Sequence, residues 1–307
     1  MKKYYLLILF ACTIISVSAQ SLFVGSYNIR YKNSTDSLEG NSWGNRYPVI
    51  CDMINFENPD IFGTQEVLFP QLHDLLSRLD GYSFIGVGRD DGKTKGEYSP
   101  IFYKTAKYKL LSHGTFWLSQ TPQIVGSKGW DAALPRICTW GHFKSNNSSF
   151  CFWYFNLHMD HIGVVARRES AKLVVANIKK MCKGEPVVLT GDFNVDQNDE
   201  IYSIFAGSGV LKDSYKATHH RFAENGTFNS FNSNQKSDSR LDHVFVTPDF
   251  IVERYGVLTN IYWAPQPESS ESLKGKDSPN QISFKNYKLR VPSDHYPVFV
   301  HLEYKTK

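Results

Sequence analysis

Pro186-Val187-Val188-Leu189-Thr190-Gly191-Asp192-Phe193-Asn194 is the stretch on which the reading of this chain turns. Its opening residues are apolar and partly β-branched, the composition of a buried strand. An acid and an amide follow where such a strand ends. Gly-Asp is also a common turn, and Asp and Asn often serve as turn caps. A carboxylate beside a buried strand is costly unless paired or coordinated. Asp192 and Asn194 are therefore either turn residues or members of a polar pocket.

The same juxtaposition recurs along the chain. Strand-like runs are expected at 22–28, 60–65, 83–87, 99–103, 136–143, 150–157, 186–193, 241–246 and 297–302. Polar residues stand at their ends: Asn28, Glu66, His158, Asp160, Asp242, Asp294 and His295. Several such groups at strand termini point to convergence on a cation or a catalytic pocket. Helical periodicity is clearest over 165–182, where Ala166, Ser170, Leu173, Val174, Asn177, Ile178 and Met181 share a face. Shorter helices are expected at 46–56 and 70–79, and Ser145-Asn146-Asn147-Ser148 reads as a hairpin turn. Strands and helices mixed in this way predict an α/β or α+β sandwich. There is no internal repeat, and the polar stretch 266–281 reads as a surface insertion.

Composition sets outer bounds. The 307 residues are 41% hydrophobic and 21% charged, which excludes a disordered chain, a collagen-like repeat and a coiled coil. Lys2-Lys3, an apolar run and Val17-Ser18-Ala19 read as a secretory signal over residues 1–19, with one domain over 20–307. The run is too short for a stable membrane span. Export to a periplasm or to the outside is thus expected, as a monomer. Losing the leader's two lysines lowers the formal charge from +4 to +2, giving no global pull on polyanions. Cys51, Cys138, Cys151 and Cys182 remain, too few for a disulfide framework and expected as buried free thiols.

The chemistry narrows next. Asp242, opening one strand, is placed to orient His295, which sits beside Asp294 before the last strand. His158-Met159-Asp160-His161 resembles half of the signature of dinuclear zinc hydrolases, but Asn156 stands where that signature begins with histidine. No Cys-x-x-Cys pair exists. The remaining ligands are carboxylate and amide oxygens, a hard set suited to Mg²⁺ or Mn²⁺.

Read in order, Tyr27-Asn28-Ile29-Arg30, Thr64-Gln65-Glu66, Asn156-Leu157-His158, Gly191 to Asn194, Leu241-Asp242-His243 and Ser293-Asp294-His295 resemble the endonuclease/exonuclease/phosphatase superfamily, the DNase-like phosphoesterases. The segments 96–103 and 129–133 look like a bacterial branch of it. The resemblance implies a four-layer sandwich of two packed mixed β-sheets flanked by helices. It further implies Mg²⁺ (or Mn²⁺) held by Glu66 with Asn28 and Asp294, and water oriented by Asp192 and Asn194. The His295–Asp242 pair would activate the water or stabilise the transition state, and His158 would donate to a phosphate oxygen. Tyr98, Arg136, Asp160, His161 and Arg167 are expected on the substrate side or behind it. Arg30 departs from members with an acid at that position, and no metal contact is expected there.

The expected activity is an exported Mg²⁺-dependent phosphoesterase acting on a phosphorylated small molecule, glycan or lipid head group. A secreted endonuclease and an inactive binding module of the same fold stay open. A nuclease needs a basic track, and only Arg89, Lys93, Lys95 and a late cluster (Lys274, Lys276, Lys285, Lys288, Arg290) are available. Tyr27, Tyr31, Trp43, Tyr98, Trp117, Trp130 and Trp263 either wall a compact pocket or fill the core.

Overall fold

The computed structural model describes residues 20–265, 279, 281–282 and 284–305. The expected leader and most of the expected insertion lie outside them. Seven strands form the first sheet: β1 (Gln20–Asn28), β2 (Ile61–Gln65), β3 (Tyr82–Ile85), β4 (Ile101–Lys104), β10 (Arg221–Phe222), β12 (Phe250–Val257) and β15 (Val298–Tyr304). Their spatial order is β10-β12-β15-β1-β2-β4-β3. Six form the second: β5 (Tyr108–Trp117), β6 (Ile137–Ser145), β7 (Cys151–His158), β8 (Val187–Asp192), β9 (Lys212–Asp213) and β11 (Asp242–Val246). Their order is β5-β6-β7-β8-β11-β9, and a small ribbon pairs β13 (Tyr262–Pro265) with β14 (Tyr287–Arg290). Among the described residues no helix is long and apolar enough to cross a membrane.

Alternation along the strands builds the layers. Leu22 and Val24 of β1, Ile61 of β2, Phe152 and Tyr154 of β7 and Val188 of β8 face one another between the sheets. The opposite faces carry the helices. Tyr27, Phe62 and Phe102 pack on α2 (Trp43–Glu57) and α3 (Phe69–Leu76). Phe155, Leu157 and Leu189 pack on α4 (Val164–Cys182) and α5 (Glu200–Ala206). The two short helices are α1 (Ser34–Leu38) and α6 (Ser214–Ala217). This is the four-layer sandwich expected from the resemblance.

Departures from the sequence reading have local causes. β5 is an edge strand with Lys109, Ser112 and His113 exposed, so it lacks clean alternation. In β12 a register shift between Val252 and Arg254 breaks the two-residue period. The buried face of α4 is turned toward Ala171, Val175 and Cys182, leaving Leu173, Asn177 and Met181 at its margin. Asp131 caps that helix from a distance, accepting the Ala166 and Val165 amides at 2.6 and 3.2 Å. The four cysteines are unpaired; Cys51, Cys138 and Cys182 are buried, whereas Cys151 is half-buried.

Two registers set up the site. β7 and β8 run parallel with His158 beside Asp192, and β8 and β11 run antiparallel with Asp192 beside Asp242. In the other sheet Asn28 lies beside Gln65, delivering Glu66 to the same rim. Beneath this rim Asn156 joins the sheets. Its Nδ2 donates to the Thr64 and Pro100 carbonyls at 2.8 and 3.0 Å, and its Oδ1 accepts Gln65 Nε2 at 2.7 Å. Gly63 is required here, because a Cβ at that position collides with the Asn156 carboxamide and the Thr190 hydroxyl. Gly63→Ala is therefore expected to lower unfolding free energy by about 1–3 kcal/mol, the usual cost of overpacking, read by denaturant titration.

Candidate active site

The strand ends converge on a cleft of about 350 Å³. Asn28, fully buried under it, donates from Nδ2 to Glu66 Oε1 and to Asp192 Oδ2, both at 3.0 Å. Asp192 Oδ1 accepts the Asn194 amide at 2.9 Å, and Glu66 Oε2 accepts that of Tyr31 at 3.2 Å. His295 Nδ1 lies 2.7 Å from Asp242 Oδ2, while its Nε2 is 3.7 Å from Asp192 Oδ2. His158 Nε2 reaches the same Asp192 oxygen at 3.5 Å from the other side. The Ser293 hydroxyl, bonded to the Asn28 carbonyl at 2.7 Å, fixes the turn that presents Asp294 and His295.

The backbone is also strained here. Arg30, Glu66 and Asn194 adopt φ of 58°, 62° and 50°. Each such non-glycine residue costs of order 1–3 kcal/mol, a price met where side chains must be aimed.

Burial dominates the electrostatics. It raises the pKa of Glu66, with the Asp294 charge adding to the effect. It also raises those of Asp192 and Asp294. The two imidazoles diverge. For His158, burial and then the nearby Arg136 and Arg89 charges hold the pKa well below the usual 6.5. For His295, burial also pulls downward, but Asp242 and Asp192 outweigh it and hold the pKa well above 6.5. His158 is therefore neutral and His295 cationic near neutral pH.

This donor set fits a hard divalent cation. Potential ligand atoms of Glu66, His158 and Asp192 lie within 4.8 Å of one another, as do those of Asp192, Asp242 and His295, and of these the carboxylates keep free lone pairs whatever the charge on His295. Glu66 and Asp294 add carboxylate oxygens at the cleft wall with no thiolate among them. Their raised pKa values express acids packed together in low dielectric, the tension a cation relieves.

Of the residues expected from sequence, Glu66, His158, Asp192, Asn194, Asp294, His295, Arg136 and His161 line the cleft, with Asn28 and Asp242 directly behind. Asn28 takes a different part from the one expected. Its Oδ1 accepts the Arg30 amide at 3.0 Å, so its nitrogen, not an oxygen, faces the acids. Three others stand off the cleft. The Tyr98 hydroxyl donates to the Lys93 carbonyl at 2.6 Å, and Arg167 donates to the Asp160 carbonyl at 3.0 Å. Asp160 is buried and accepts the amides of Ala133, Leu134, Ile162 and Gly163. Burial works to raise its pKa, yet these bonds and Arg136 hold it at about 2.

Arg30, Glu97, Leu134 and Phe228, none of them expected as site residues, complete the walls together with Tyr31, one of the aromatics expected either there or in the core. Arg30 pairs with Asp36 at 2.9 Å and stands 3.5 Å from Asp294. Glu97 is held by Arg89 through two bonds of 2.8 Å, so Arg89 is not part of a surface basic track. Of the seven aromatics named from the sequence only Tyr31 lines the cleft; Tyr27, Trp43, Tyr98 and Trp117 are core. A larger cavity of about 580 Å³ includes Phe23, Phe299 and His301 on the outer side of the first sheet, with Glu57 as its one lining acid. It lacks the converging carboxylates.

The raised His295 pKa has a pH signature. Its protonation contributes stability in full below about 6.5, and that stability is lost as pH rises through the raised folded value. Asp242→Asn should bring the His295 titration, followed by NMR, down toward 6.5. It should also flatten unfolding free energy against pH over that interval; an unmoved titration contradicts the assignment.

Residues 25–295 match a family model described as endonuclease/exonuclease/phosphatase family. An endonuclease/exonuclease/phosphatase family protein from Bacteroides thetaiotaomicron superposes with TM-score 0.86 at 50% identity, covering 94% of this chain and 100% of that one. A mannosyl-6-phosphatase from the same organism superposes with TM-score 0.84 at 52% identity, covering 92% and 99%. Among curated sequences, an uncharacterized protein of Acanthamoeba polyphaga mimivirus is 33% identical over 162 residues, 50% of this chain and 60% of that protein. The chain spans between 26% and 60% of the length of the curated relatives it matches.

Proposed function

The chain belongs to the endonuclease/exonuclease/phosphatase family, and from that premise we propose that it is an exported, Mg²⁺-dependent phosphomonoesterase acting on a phosphorylated sugar of the mannosyl 6-phosphate type. The observation that carries this reading is one cleft in which buried acids face a cationic His295 on one side and a neutral His158 on the other. The 52% identity to a mannosyl-6-phosphatase over nearly the whole of both chains supports the choice of substrate. The leader-like residues 1–19 support export.

Glu66 and Asp294 would hold the metal ion, which supplies neutralisation of charge growing on phosphate oxygens. The rest falls to the side chains. Asp192, its carboxylate fixed by Asn28 and the Asn194 amide, orients the attacking water, and its raised pKa suits it to take the water's proton. His295, kept cationic by Asp242, directs its Nε2–H at the phosphoryl oxygens and stabilises the transition state. His158 donates a second hydrogen bond as a neutral imidazole. Phe228 and Leu134, each partly exposed at the mouth, offer apolar surface to a sugar ring.

The test is a screen of the purified protein with Mg²⁺ over mannose 6-phosphate, p-nitrophenyl phosphate, bis-p-nitrophenyl phosphate and plasmid DNA. Monoester turnover should vanish with a chelator and return with Mg²⁺. His295→Ala should lower kcat by about 10²–10⁴, the usual worth of such a group, with circular dichroism unchanged. Glu66→Gln should weaken Mg²⁺ binding measured by calorimetry. Plasmid cleavage falling steeply with salt would instead make it a nuclease. Metal binding without turnover would leave a binding module.

A further inference from the structure

Arg136 ends the loop before β6 and is buried, with three of its nitrogens committed. Nε approaches Asp160 Oδ2 at 3.4 Å, Nη1 lies 3.0 Å from His158 Nδ1, and Nη2 lies 2.9 Å from His161 Nδ1. Asp160 is itself pinned by four backbone amides, so the guanidinium plane cannot swing. A guanidinium has donors and no lone pair. Each Nδ1 it meets must therefore accept, and a neutral imidazole that accepts at Nδ1 carries its proton at Nε2. Glu97, the other group near His158 Nδ1, stands 3.8 Å away and is engaged by Arg89.

We infer that Arg136 is a positioning residue that locks His158 and His161 in the same Nε2–H tautomer, and that His161 uses its Nε2–H to read a hydroxyl of the leaving group beside the scissile phosphate. The two rings divide by depth. His158 is buried, with Nε2 next to Asp192, where the phosphate is handled. His161 is exposed at the cleft wall, where the alcohol half of the ester lies, and faces the same mouth as Phe228 and Leu134. Mannose 6-phosphate carries ring hydroxyls, the nearest at C4, two carbons from its ester carbon; p-nitrophenyl phosphate carries none. The inference on His161 rests on the phosphomonoesterase reading, whereas the tautomers do not depend on it.

Long-range proton–nitrogen NMR on histidine-labelled protein, without substrate, reads the tautomers directly. Both rings should show the Nε2–H pattern in the wild type. Arg136→Gln, and Arg136→Lys where the first fails to fold, should lose the single-tautomer pattern. A doubly protonated or Nδ1–H ring in the wild type overturns the role of Arg136. In kinetics, His161→Ala should raise KM for mannose 6-phosphate about tenfold more than for p-nitrophenyl phosphate, the worth of one hydrogen bond. His161→Gln, which keeps an N–H donor, should recover part of it. Equal losses on both esters overturn the assignment of His161. A protein inert toward every phosphate ester overturns the phosphomonoesterase reading and His161 with it, and the NMR spectra alone then decide the role of Arg136.

Discussion

The Asn156 carboxamide, hydrogen-bonded at once to the Thr64 and Pro100 carbonyls and to Gln65, is the contact from which the rest of this molecule follows. It lies on β7 of one sheet and grips β2 of the other just below the rim. Two β-sheets packed through apolar side chains are registered by close packing. A fully buried amide that must satisfy its donors and acceptor adds a directional constraint, because each lost partner costs about 1–3 kcal/mol. Asn28 repeats the device one layer higher, bonding Glu66 of its own sheet and Asp192 of the opposite one. The strand ends are thereby held level, so that residues far apart in the chain share a single cleft.

That alignment creates an electrostatic tension that the surrounding groups only partly answer. Asp192 and Asp294 are buried beside the half-buried Glu66, each of the three with its pKa pushed upward by desolvation. Arg30 stands 3.5 Å from Asp294, and His295 faces Asp192 at 3.7 Å. The excess of acid suits both a divalent ion and the chemistry of phosphoryl transfer, in which catalysis is mostly positioning and charge stabilisation. The two histidines show how environment assigns role. Asp242 and Asp192 outweigh burial to raise the pKa of one, while burial and then Arg136 lower that of the other.

Phosphoryl chemistry sets the floor of the cleft, while the substrate is chosen by its walls. The same fold hosts many phosphoesterases, and fold alone does not select among them. Here the walls are contributed by Tyr31, Glu97, Leu134, His161 and Phe228. They come from loops between the named strands and helices. Arg89 is consumed by Glu97, which removes it from any path a nucleic-acid backbone could follow.

The sequence by itself determined the alternation of strands and helices, the acids and histidines at strand ends, and their order along the chain. Short-range pattern suffices for these, because an apolar run stops where its polar terminus begins. The edge strand β5 and the bulged β12 escaped that reading, since neither alternates cleanly. Only the tertiary structure decided that Asn28 turns its nitrogen toward the acids, and that Tyr98 and Arg167 serve loops instead of the cleft. It alone brought Glu97 and Phe228 to the site and gave Arg136 two imidazoles to hold. The reason is distance along the chain: Asn28 and Asp192 are 164 residues apart, and which atom of an amide or imidazole faces a partner is fixed by neighbours that no local window contains.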